Sequence, residues 1–448
     1  MLILHLLSVL VLSVHAALAI PKDPSKDSFY KPDGGWQDAS PGDILNWRRI
    51  EPGVASFLDM DVAGYQLLYR TNGAKDPRTT VATVLVPRDY AHDKIVSVNV
   101  YEDSFSSKCA PSYAIQKGAQ LFKDTAFTYQ QLFMLTLLNE GWLVVVPDHE
   151  GSENSFVSGI PQGHAVLDGM RAVLNFDQVK TNRNATLIGY GYSGGGEATG
   201  WAASLHRRYA GDLNVVGWAM GGVIADVENW FKYLDGSPAA GFVAAGLAGL
   251  VESYDELRWV KKARTLSGKL AWKDTSERCM NENLSKFVNK KMISNEMFRN
   301  GDNFYSDDSA KHVFAMLKLG NSDPPKAPVY MFHSSHDEVV PYSNAISAAN
   351  SWCAKGARIH FSTNAGVSMT HESTELFNHP GVIHFMRDRF SGKRVEKQCN
   401  FHTVWNPWFN FFTLGESAAQ FTQQILHLIT GQFDFRDKVH NYDKETSL

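Results

Sequence analysis

The chain has 448 residues, a formal net charge of −4 and 44% hydrophobic residues. This composition is typical of a globular protein with a large core. The net negative charge argues against the phosphate backbones of nucleic acids as partners. The length allows one large domain with an insertion, or two to three domains.

Residues 1–19 have the pattern of a secretory signal peptide. Two apolar runs, 2–4 and 6–12, are followed by Ala17-Leu18-Ala19, a small-x-small cleavage site. No Lys or Arg precedes the apolar run, and a membrane anchor is the alternative, but the run is short for a membrane span. We therefore expect a secreted, extracellular protein whose mature chain has no transmembrane segment.

Four cysteines, Cys109, Cys279, Cys353 and Cys399, form an even set. In a secreted chain this predicts two disulfides, although the spacing leaves all three pairings open. The sequence contains no Cys-x-x-Cys, so neither a zinc site nor a redox pair is expected.

Two Asn-x-Ser/Thr sequons, at Asn184 and Asn283, predict N-linked glycans. Asn184 directly precedes a predicted strand, so a glycan there requires that the strand start be exposed. Asn283 is therefore the preferred acceptor.

From residue 65 onward, strand patterns alternate with helix patterns. The predicted strands are 65–70, 81–86, 94–101, 142–147, 185–189, 213–219, 328–333 and 357–362. The predicted helices among them are 128–140, 161–175 and 197–205. This β-α-β-α order predicts a doubly wound, mostly parallel α/β sheet.

The alternation stops between residues 223 and 312, where helical patterns dominate. A helical insertion between two strands of such a sheet predicts a cap or lid over the carboxyl edge of the sheet. The core would then comprise residues 20–222 and 313–448. The Ala/Gly-rich stretch 237–251 suits a buried core helix, or a membrane helix that Asp235 and Glu252 leave too short for a span.

A candidate nucleophile lies in residues 191–195, which read Gly-Tyr-Ser-Gly-Gly. An apolar strand precedes this Gly-x-Ser-x-Gly motif and a small-residue helix follows it, as a nucleophile elbow requires. Gly191 and Gly195 leave room for a strained turn that projects the hydroxyl of Ser193. The alternative interpretation is a glycine-rich β–α turn with an incidental serine.

The nucleophile needs a base and an acid that orients the base, and in this fold the acid precedes the histidine along the chain. Asp337 follows the predicted strand 328–333 and is the candidate acid, with Glu338 as its competitor. Another possibility is that Asp337 caps the helix predicted to start near Tyr342.

The candidate base is His371, which we place in the loop after strand 357–362. His379, at a predicted helix start before Pro380, and His384, within that helix, are the alternatives. The sequence after His371 lacks the second histidine of a zinc-binding His-Glu-x-x-His helix, so no metal is expected.

Two backbone N–H groups are expected to stabilise an oxyanion. Gly194, directly after the nucleophile, supplies one, and a residue in segment 101–104 supplies the other. With a serine, a histidine and an aspartate available, the chemistry needs no metal or organic cofactor.

Taken together, several motifs resemble the fungal secretory lipases of the yeast lipase A type, within the α/β-hydrolase superfamily. The resemblance covers most of the mature chain and includes Val-Tyr-Glu-Asp at 100–103, Cys-Ala-Pro-Ser-Tyr at 109–113, Val-Pro-Asp-His-Glu-Gly at 146–151, Leu-Asp-Gly-Met-Arg at 167–171, Gly-Tyr-Ser-Gly-Gly at 191–195, Asp-Glu-Val-Val-Pro at 337–341 and Cys-Ala-Lys-Gly at 353–356.

The resemblance implies that Ser193, Asp337 and His371 form a catalytic triad and that Asp103 and Gly194 are the backbone oxyanion donors. It further implies the disulfides Cys109–Cys279 and Cys353–Cys399, and a helical cap over an acyl pocket. The family pattern does not firmly fix residues 196–197, 368–370 or the aromatic run 405–412, which leaves acyl-chain preference open.

We therefore expect a monomeric, secreted serine hydrolase that cleaves lipid esters as a triacylglycerol lipase. The apolar cap and the aromatic run 405–412 would line an acyl channel or touch an oil–water surface, unless both are core. The alternatives are a short-chain carboxylesterase or an acyltransferase. Less favoured are a serine peptidase, for which no charged peptide clamp is evident, and a non-catalytic binding protein of the same fold.

Overall fold

The chain is described from a computed structural model. The described residues are 20–53, 55, 60–119, 125–366, 369–395 and 398–405, with the backbone alone at 125–129. The predicted signal peptide 1–19 and residues 406–412 of the aromatic run lie outside this range. The same holds for all of residues 406–448, the end of the predicted core.

A single sheet of ten strands organises the described part of the chain. The strands are β1 (Ile44–Ile50), β2 (Val62–Asn72), β3 (Pro77–Pro87), β4 (Lys94–Asn99), β5 (Leu143–Pro147), β6 (Thr186–Tyr192), β7 (Val215–Gly221), β8 (Val329–Ser334), β9 (Ile359–Ala365) and β10 (Asn400–Trp405). Their spatial order is β1-β2-β3-β5-β4-β6-β7-β8-β9-β10. Strands β1, β2, β3 and β5 pair antiparallel in succession, and all pairs from β5 to β10 are parallel. The predicted mostly parallel α/β sheet is confirmed.

Helices follow most of the parallel strands. They are α1 (Pro111–Ala114), α2 (Thr125–Asn139), α3 (Ile160–Leu174), α4 (Gly194–Tyr209), α5 (Val227–Leu234), α6 (Ala240–Ser253), α7 (Arg258–Ala263), α8 (Leu266–Ser276), α9 (Met280–Lys286), α10 (Asp308–Met316), α11 (Tyr342–Ala354) and α12 (His371–Phe390). Short 3₁₀ turns lie at Ser28–Tyr30, Trp36–Asp38, Ser107–Cys109, Asp255–Leu257, Gly301–Ser306 and Leu319–Asn321.

Successive side chains of a strand point to opposite faces of the sheet. Helices cover both faces. On β5, Leu143 and Val145 join the apolar cluster that includes α3 and α4. The alternate residues Val144 and Val146 join the cluster formed with α2 and α12. All five residues of β5 are buried, which explains its uninterrupted apolar sequence.

Two strands were not predicted from the sequence. They are β1 and β10, which lie at the two edges of the sheet. None of their residues is fully buried. Edge strands face solvent on one side and therefore lack the strong apolar pattern of β4 to β7.

The segment between β7 and β8, residues 222–328, contains helices α5 to α10 and is called the helical insertion below. Its Ala/Gly-rich helix α6 is buried from Ala240 to Val251, so this stretch is a core helix. Among the described residues, no helix combines the length and the apolar character that crossing a membrane requires.

Two disulfides are present. Cys109 is joined to Cys279, which ties the segment after β4 to the helical insertion. Cys353, on α11, is joined to Cys399, the residue before β10. Of the three possible pairings, this is the one that the family resemblance implies.

The two sequons differ in exposure. Asn283 is 1% exposed, and its side chain donates to the carbonyl of Arg278. Asn184, in contrast, is exposed and lies two residues before β6, the strand that leads to Ser193. Exposure therefore favours Asn184 as the glycan acceptor, the reverse of the preference drawn from the sequence.

Helix α4 packs closely against the sheet beside Ser193, and this contact requires glycine at position 195. A Cβ atom at Gly195 would collide with the carbonyl oxygen of Asn99, at the end of β4. We predict that Gly195→Ala lowers the free energy of unfolding by about 1–3 kcal/mol, because the helix must shift. Denaturant unfolding measures this loss.

The matched control for this prediction is Gly34→Ala, since a Cβ atom at Gly34 would meet no heavy atom within 4 Å. We expect this variant to unfold like the parent chain. Equal stability of the two variants would contradict the close packing of α4.

Candidate active site

Ser193 lies in a tight turn between the end of β6 and the start of α4. Its backbone has φ +54° and ψ −125°, a conformation that is costly for any residue with a side chain. The turn is held by a hydrogen bond from the N–H of Ser193 to the carbonyl of Gly221, on β7. A Cβ atom at Gly191 would collide with the Gly195 carbonyl, so both elbow glycines are sterically required.

The three side chains that the sequence singled out meet at this turn. Nε2 of His371 lies 2.9 Å from Oγ of Ser193. Nδ1 of His371 lies 2.8 Å from Oδ2 of Asp337. These two contacts form a continuous hydrogen-bonded chain from hydroxyl to imidazole to carboxylate. The three residues are only 5–6% exposed, so the chain of contacts is shielded from bulk water.

Asp337 follows β8 at the carboxyl edge of the sheet, as predicted. Its Oδ1 atom accepts the backbone N–H groups of Val339 at 2.9 Å and Val340 at 2.7 Å. Burial by itself raises the pKa of this carboxyl, but His371 and His333 beside it hold the pKa well below its usual range. Asp337 is therefore a fixed negative charge facing the imidazole.

His371 is the first residue of α12, which corrects the prediction that it lies in a loop. Its backbone N–H donates to the carboxylate of Glu338, with distances of 3.0 and 3.2 Å to the two oxygens. Its carbonyl accepts the hydroxyl of Tyr192 at 2.6 Å. Glu338, the competing acid, therefore holds the backbone of the histidine, whereas Asp337 contacts its ring.

The alternative histidines lie elsewhere on α12. His379 is buried mid-helix, stacked on Phe133, with Nε2 2.8 Å from the hydroxyl of Thr136. Burial lowers its pKa to about 3. His384 is exposed. The predicted helix start near Pro380 is wrong, because α12 begins at His371 and runs through this proline.

The predicted oxyanion donors differ in what they contact. Gly194 is the first residue of α4, and its N–H is among those that a helix N-terminus leaves without an intrahelical partner. The N–H of Asp103 donates to Oε1 of Glu150 at 3.0 Å. That of Ser104 approaches Oε2 of Glu150 at 3.4 Å. The role of Asp103 as a backbone oxyanion donor stays a prediction. For this role the N–H of Asp103 must leave Glu150 or donate to Glu150 and the oxyanion together.

Asp103 and Gly194 are nonetheless neighbours. A Cβ atom at Gly194 would collide with Oδ1 of Asp103. Asp103 also has a positive φ of 46°, a conformation found in few residues other than glycine. The turn at Asp103 and the turn at Ser193 therefore face each other across a narrow gap.

Three further buried glutamates lie near Asp103, and no motif in the sequence points to them. Burial is the main cause that raises the pKa of Glu102, Glu150 and Glu197 well above the usual range, and nearby negative charges add to it. Their neutral forms are favoured, so they add little negative charge beside the turn at Ser193.

Glu375 lies one helical turn after His371 and is also buried. It accepts the hydroxyl of Tyr190 at 3.0 Å and the amide of Gln130 at 3.4 Å. Burial raises its pKa to about 7, and these hydrogen bonds oppose the rise. A helix that starts at His371 places Glu375, four residues later, on the same face. The sequence did not reveal this because the helix start was predicted near Pro380.

No group of three or more His, Cys, Asp or Glu side chains is arranged to hold a metal ion within the described ranges. The residues at the turn are a serine, a histidine and an aspartate in hydrogen-bonding contact. This set is typical of covalent acyl transfer through a serine.

Comparison with known proteins identifies related chains. The sequence model of the secretory lipase family matches residues 115–397. A secreted triacylglycerol lipase from Malassezia furfur, LIP2, is 49% identical over 420 residues, which cover 93% of this chain and 90% of the relative. LIP7 from Malassezia globosa, with the same description, is 47% identical and covers 90% of this chain and 87% of the relative.

Among solved structures, Candida antarctica lipase A in its closed state superimposes with a TM-score of 0.81 and 27% identity, covering 90% of this chain and 96% of that chain. An esterase from Xanthomonas oryzae, LipA, shares the fold at a TM-score of 0.60 and 17% identity, covering 79% of this chain and all of that chain. The predicted α/β-hydrolase fold is confirmed. The family match over residues 115–397, together with relatives close to half identical, shows that this chain belongs to the secretory lipase family.

Proposed function

We propose that the protein is a secreted triacylglycerol lipase that hydrolyses its substrate through Ser193, His371 and Asp337. The observation that carries this proposal is the hydrogen-bonded chain from Oγ of Ser193 through the imidazole of His371 to the carboxylate of Asp337. Membership of the secretory lipase family supports the same reaction class.

In the first half-reaction, Nε2 of His371 takes the proton from Oγ of Ser193 as the oxygen attacks the ester carbonyl. Asp337 keeps the imidazole in the required tautomer and stabilises its cationic form. The tetrahedral intermediate collapses when His371 gives its proton to the leaving alcohol, and the acyl group remains on Ser193. Water then repeats the sequence and releases the fatty acid.

The negative charge of the intermediate needs hydrogen-bond donors at the turn. The N–H of Gly194 points along the axis of α4, whose N-terminus favours an anion. Asp103 is the second proposed donor and lies against Gly194. The raised pKa values of the buried glutamates favour their neutral forms.

An apolar wall beside the nucleophile supports an acyl chain as substrate. The ring of Phe156 would lie 3.1 Å from a Cβ atom at Gly194. It packs edge-on against Trp230 of the helical insertion, with ring centroids 5.8 Å apart. Trp230 in turn contacts Phe242 at 5.9 Å. We propose that residues 223–312 form the predicted cap and that an acyl chain lies along this wall.

The nearly complete burial of Ser193 and His371 requires that part of the cap move before a large ester can enter. Lids of this kind open on binding in many enzymes. An oil–water surface is the proposed site of this opening. A monomer remains our expectation for the assembly state.

Secretion is proposed from three observations. The relatives from Malassezia furfur and Malassezia globosa are described as secreted. Residues 1–19 have the pattern of a signal peptide. The two disulfides suit an oxidising compartment.

We predict that Ser193→Ala lowers kcat by at least about 10⁴-fold, because no other group replaces the acyl acceptor. The thermal unfolding midpoint should change little. Ester hydrolysis monitored by fatty acid titration measures the effect, with Ser391→Ala, at an exposed serine, as the matched control. Retained hydrolysis in Ser193→Ala would refute the assigned nucleophile.

A second prediction concerns pH. Burial lowers the pKa of His371, but Asp337 and Glu338 more than offset this and raise it above the ordinary value. Because the base must be neutral, activity should fall as the pH drops through this raised pKa. Asp337→Asn removes the main negative charge that raises the pKa of His371. The acid limb of the pH profile should therefore move to lower pH, while kcat falls by about 10⁴-fold. The pH profile of kcat measures both effects.

Glu338→Gln is the matched control for this prediction, because Glu338 contacts the backbone of His371 and not the ring. We expect a smaller shift of the acid limb and a smaller loss of rate than in Asp337→Asn. An acid limb that stays in place in Asp337→Asn would contradict the proposed pairing of His371.

A third prediction separates a lipase from a short-chain esterase. We expect emulsified triolein to be hydrolysed at a rate at least equal to that of soluble tributyrin, because the apolar wall beside Ser193 favours long acyl chains. Initial rates below and above the solubility limit of tributyrin give the comparison. Turnover of the soluble ester alone would favour the esterase, and a transfer of the acyl group to added alcohol in preference to water would favour the acyltransferase.

A further inference from the structure

The helical insertion contains a strongly basic segment in a chain whose net charge is −4. Residues 258–273 read Arg-Trp-Val-Lys-Lys-Ala-Arg-Thr-Leu-Ser-Gly-Lys-Leu-Ala-Trp-Lys and contain six basic residues and no acidic one. They form α7 and most of α8. The basic residues are Arg258, Lys261, Lys262, Arg264, Lys269 and Lys273.

Helix α8 has two distinct faces. Its inner face consists of Gly268, Ala271, Trp272 and Thr275, which line an apolar cavity of about 30 Å³ shared with α6. Its outer face, at positions i, i+3, i+4 and i+7, consists of Leu266, Lys269, Leu270 and Lys273. A soluble helix normally presents polar residues on its outer face.

Both leucines on this outer face are in solvent. Leu266 is 75% exposed and Leu270 is 57% exposed. Single exposed apolar residues are common in soluble proteins, but here two lie on adjacent turns of one helix. Leucines that alternate with lysines are typical of helices that lie on a lipid surface.

The charges around these leucines are only partly neutralised. Lys261 pairs with Glu252 at 2.6 Å, and Lys273 lies 3.9 Å from Glu277. Lys262 and Lys269 are exposed and make no ion pair with any residue in the part of the chain that the structure describes. The outer face therefore presents apolar side chains with a net positive charge.

The inner side of α8 is connected to the segment that follows Asp103. Trp272 contacts Phe105 edge-on, with ring centroids 5.5 Å apart. The hydroxyl of Ser104 donates to the carbonyl of Arg278 at 3.1 Å, and Cys109 is bonded to Cys279. The segment that begins at Asp103 is thus fastened to α8 and to the turn that follows it.

We propose that the outer face of α8 is the surface by which the protein docks on a lipid–water interface that carries anionic headgroups. Leu266 and Leu270 enter the apolar layer, while Lys269 of α8 and Lys262 of the preceding helix α7 contact carboxylate or phosphate groups at its boundary. This inference deepens the proposed lipase function. Ester hydrolysis itself releases fatty acid carboxylates, so the surface becomes more attractive to this face as the reaction proceeds.

The test measures binding to vesicles in a Ser193→Ala background, so that the lipid is not consumed. Vesicles of phosphatidylcholine alone are compared with vesicles of equal parts phosphatidylcholine and phosphatidylglycerol, by flotation. We expect tighter binding to the anionic vesicles, with an affinity that falls as salt is added. Because no turnover is required, failed binding would leave the proposed hydrolysis intact, and failed hydrolysis would leave the binding result intact.

Two double variants separate the apolar and the charged contributions. Leu266→Ser with Leu270→Ser should weaken binding to both vesicles by about tenfold or more, and Lys262→Gln with Lys269→Gln should do so only for the anionic vesicles. The matched control is Val288→Ser with Lys180→Gln. Val288 is an exposed apolar residue of the insertion outside α8, and Lys180 lies beyond the amino ends of the strands. We expect this control to bind like the parent.

Three outcomes would overturn the proposal. These are equal binding to the two vesicle types, unchanged binding in the leucine variant, or equal loss in the control. Thermal unfolding and light scattering of the same variants give a further check. A midpoint lowered by several degrees in the leucine variant would assign the face to a contact within the chain. If the parent is a dimer and the leucine variant is a monomer, the outer face of α8 is instead a contact with a second copy of the chain.

Discussion

The strained turn at Ser193 is the constraint on which the rest of the site depends. A residue with a side chain occupies a positive φ, and this conformation persists only because the surroundings enforce it. Gly191 and Gly195 remove the side chains that would obstruct the turn. The turn also brings the N-terminus of α4 beneath the hydroxyl of Ser193, so one local geometry positions both the proposed nucleophile and the proposed donor to the oxyanion.

The remaining groups of the site are held mainly by contacts to the backbone. His371 is fixed by Glu338 at its N–H and by Tyr192 at its carbonyl, while Asp337 receives two backbone N–H groups. These contacts restrict the imidazole to the position between hydroxyl and carboxylate. The low pKa of Asp337 and the raised pKa of His371 are two results of this one arrangement.

The sequence predicted the parallel sheet, its order of strands and helices, and the three side chains that meet at the turn, because each has a local pattern. It did not predict β1 and β10, whose edge positions weaken the apolar alternation. It placed His371 in a loop, because Pro380 suggested a later helix start. The contact between Glu150 and the N–H of Asp103 joins residues 47 positions apart, and no local pattern reports such a contact.

The central claim is that Ser193 is the acyl acceptor and Gly194 stabilises the oxyanion. A crystal structure of the protein treated with an alkyl phosphonate ester tests both directly. We expect a covalent bond from phosphorus to Oγ of Ser193, with the phosphoryl oxygen about 3 Å from the N–H of Gly194. An adduct on any other residue, or a phosphoryl oxygen directed away from this N–H, would contradict the account.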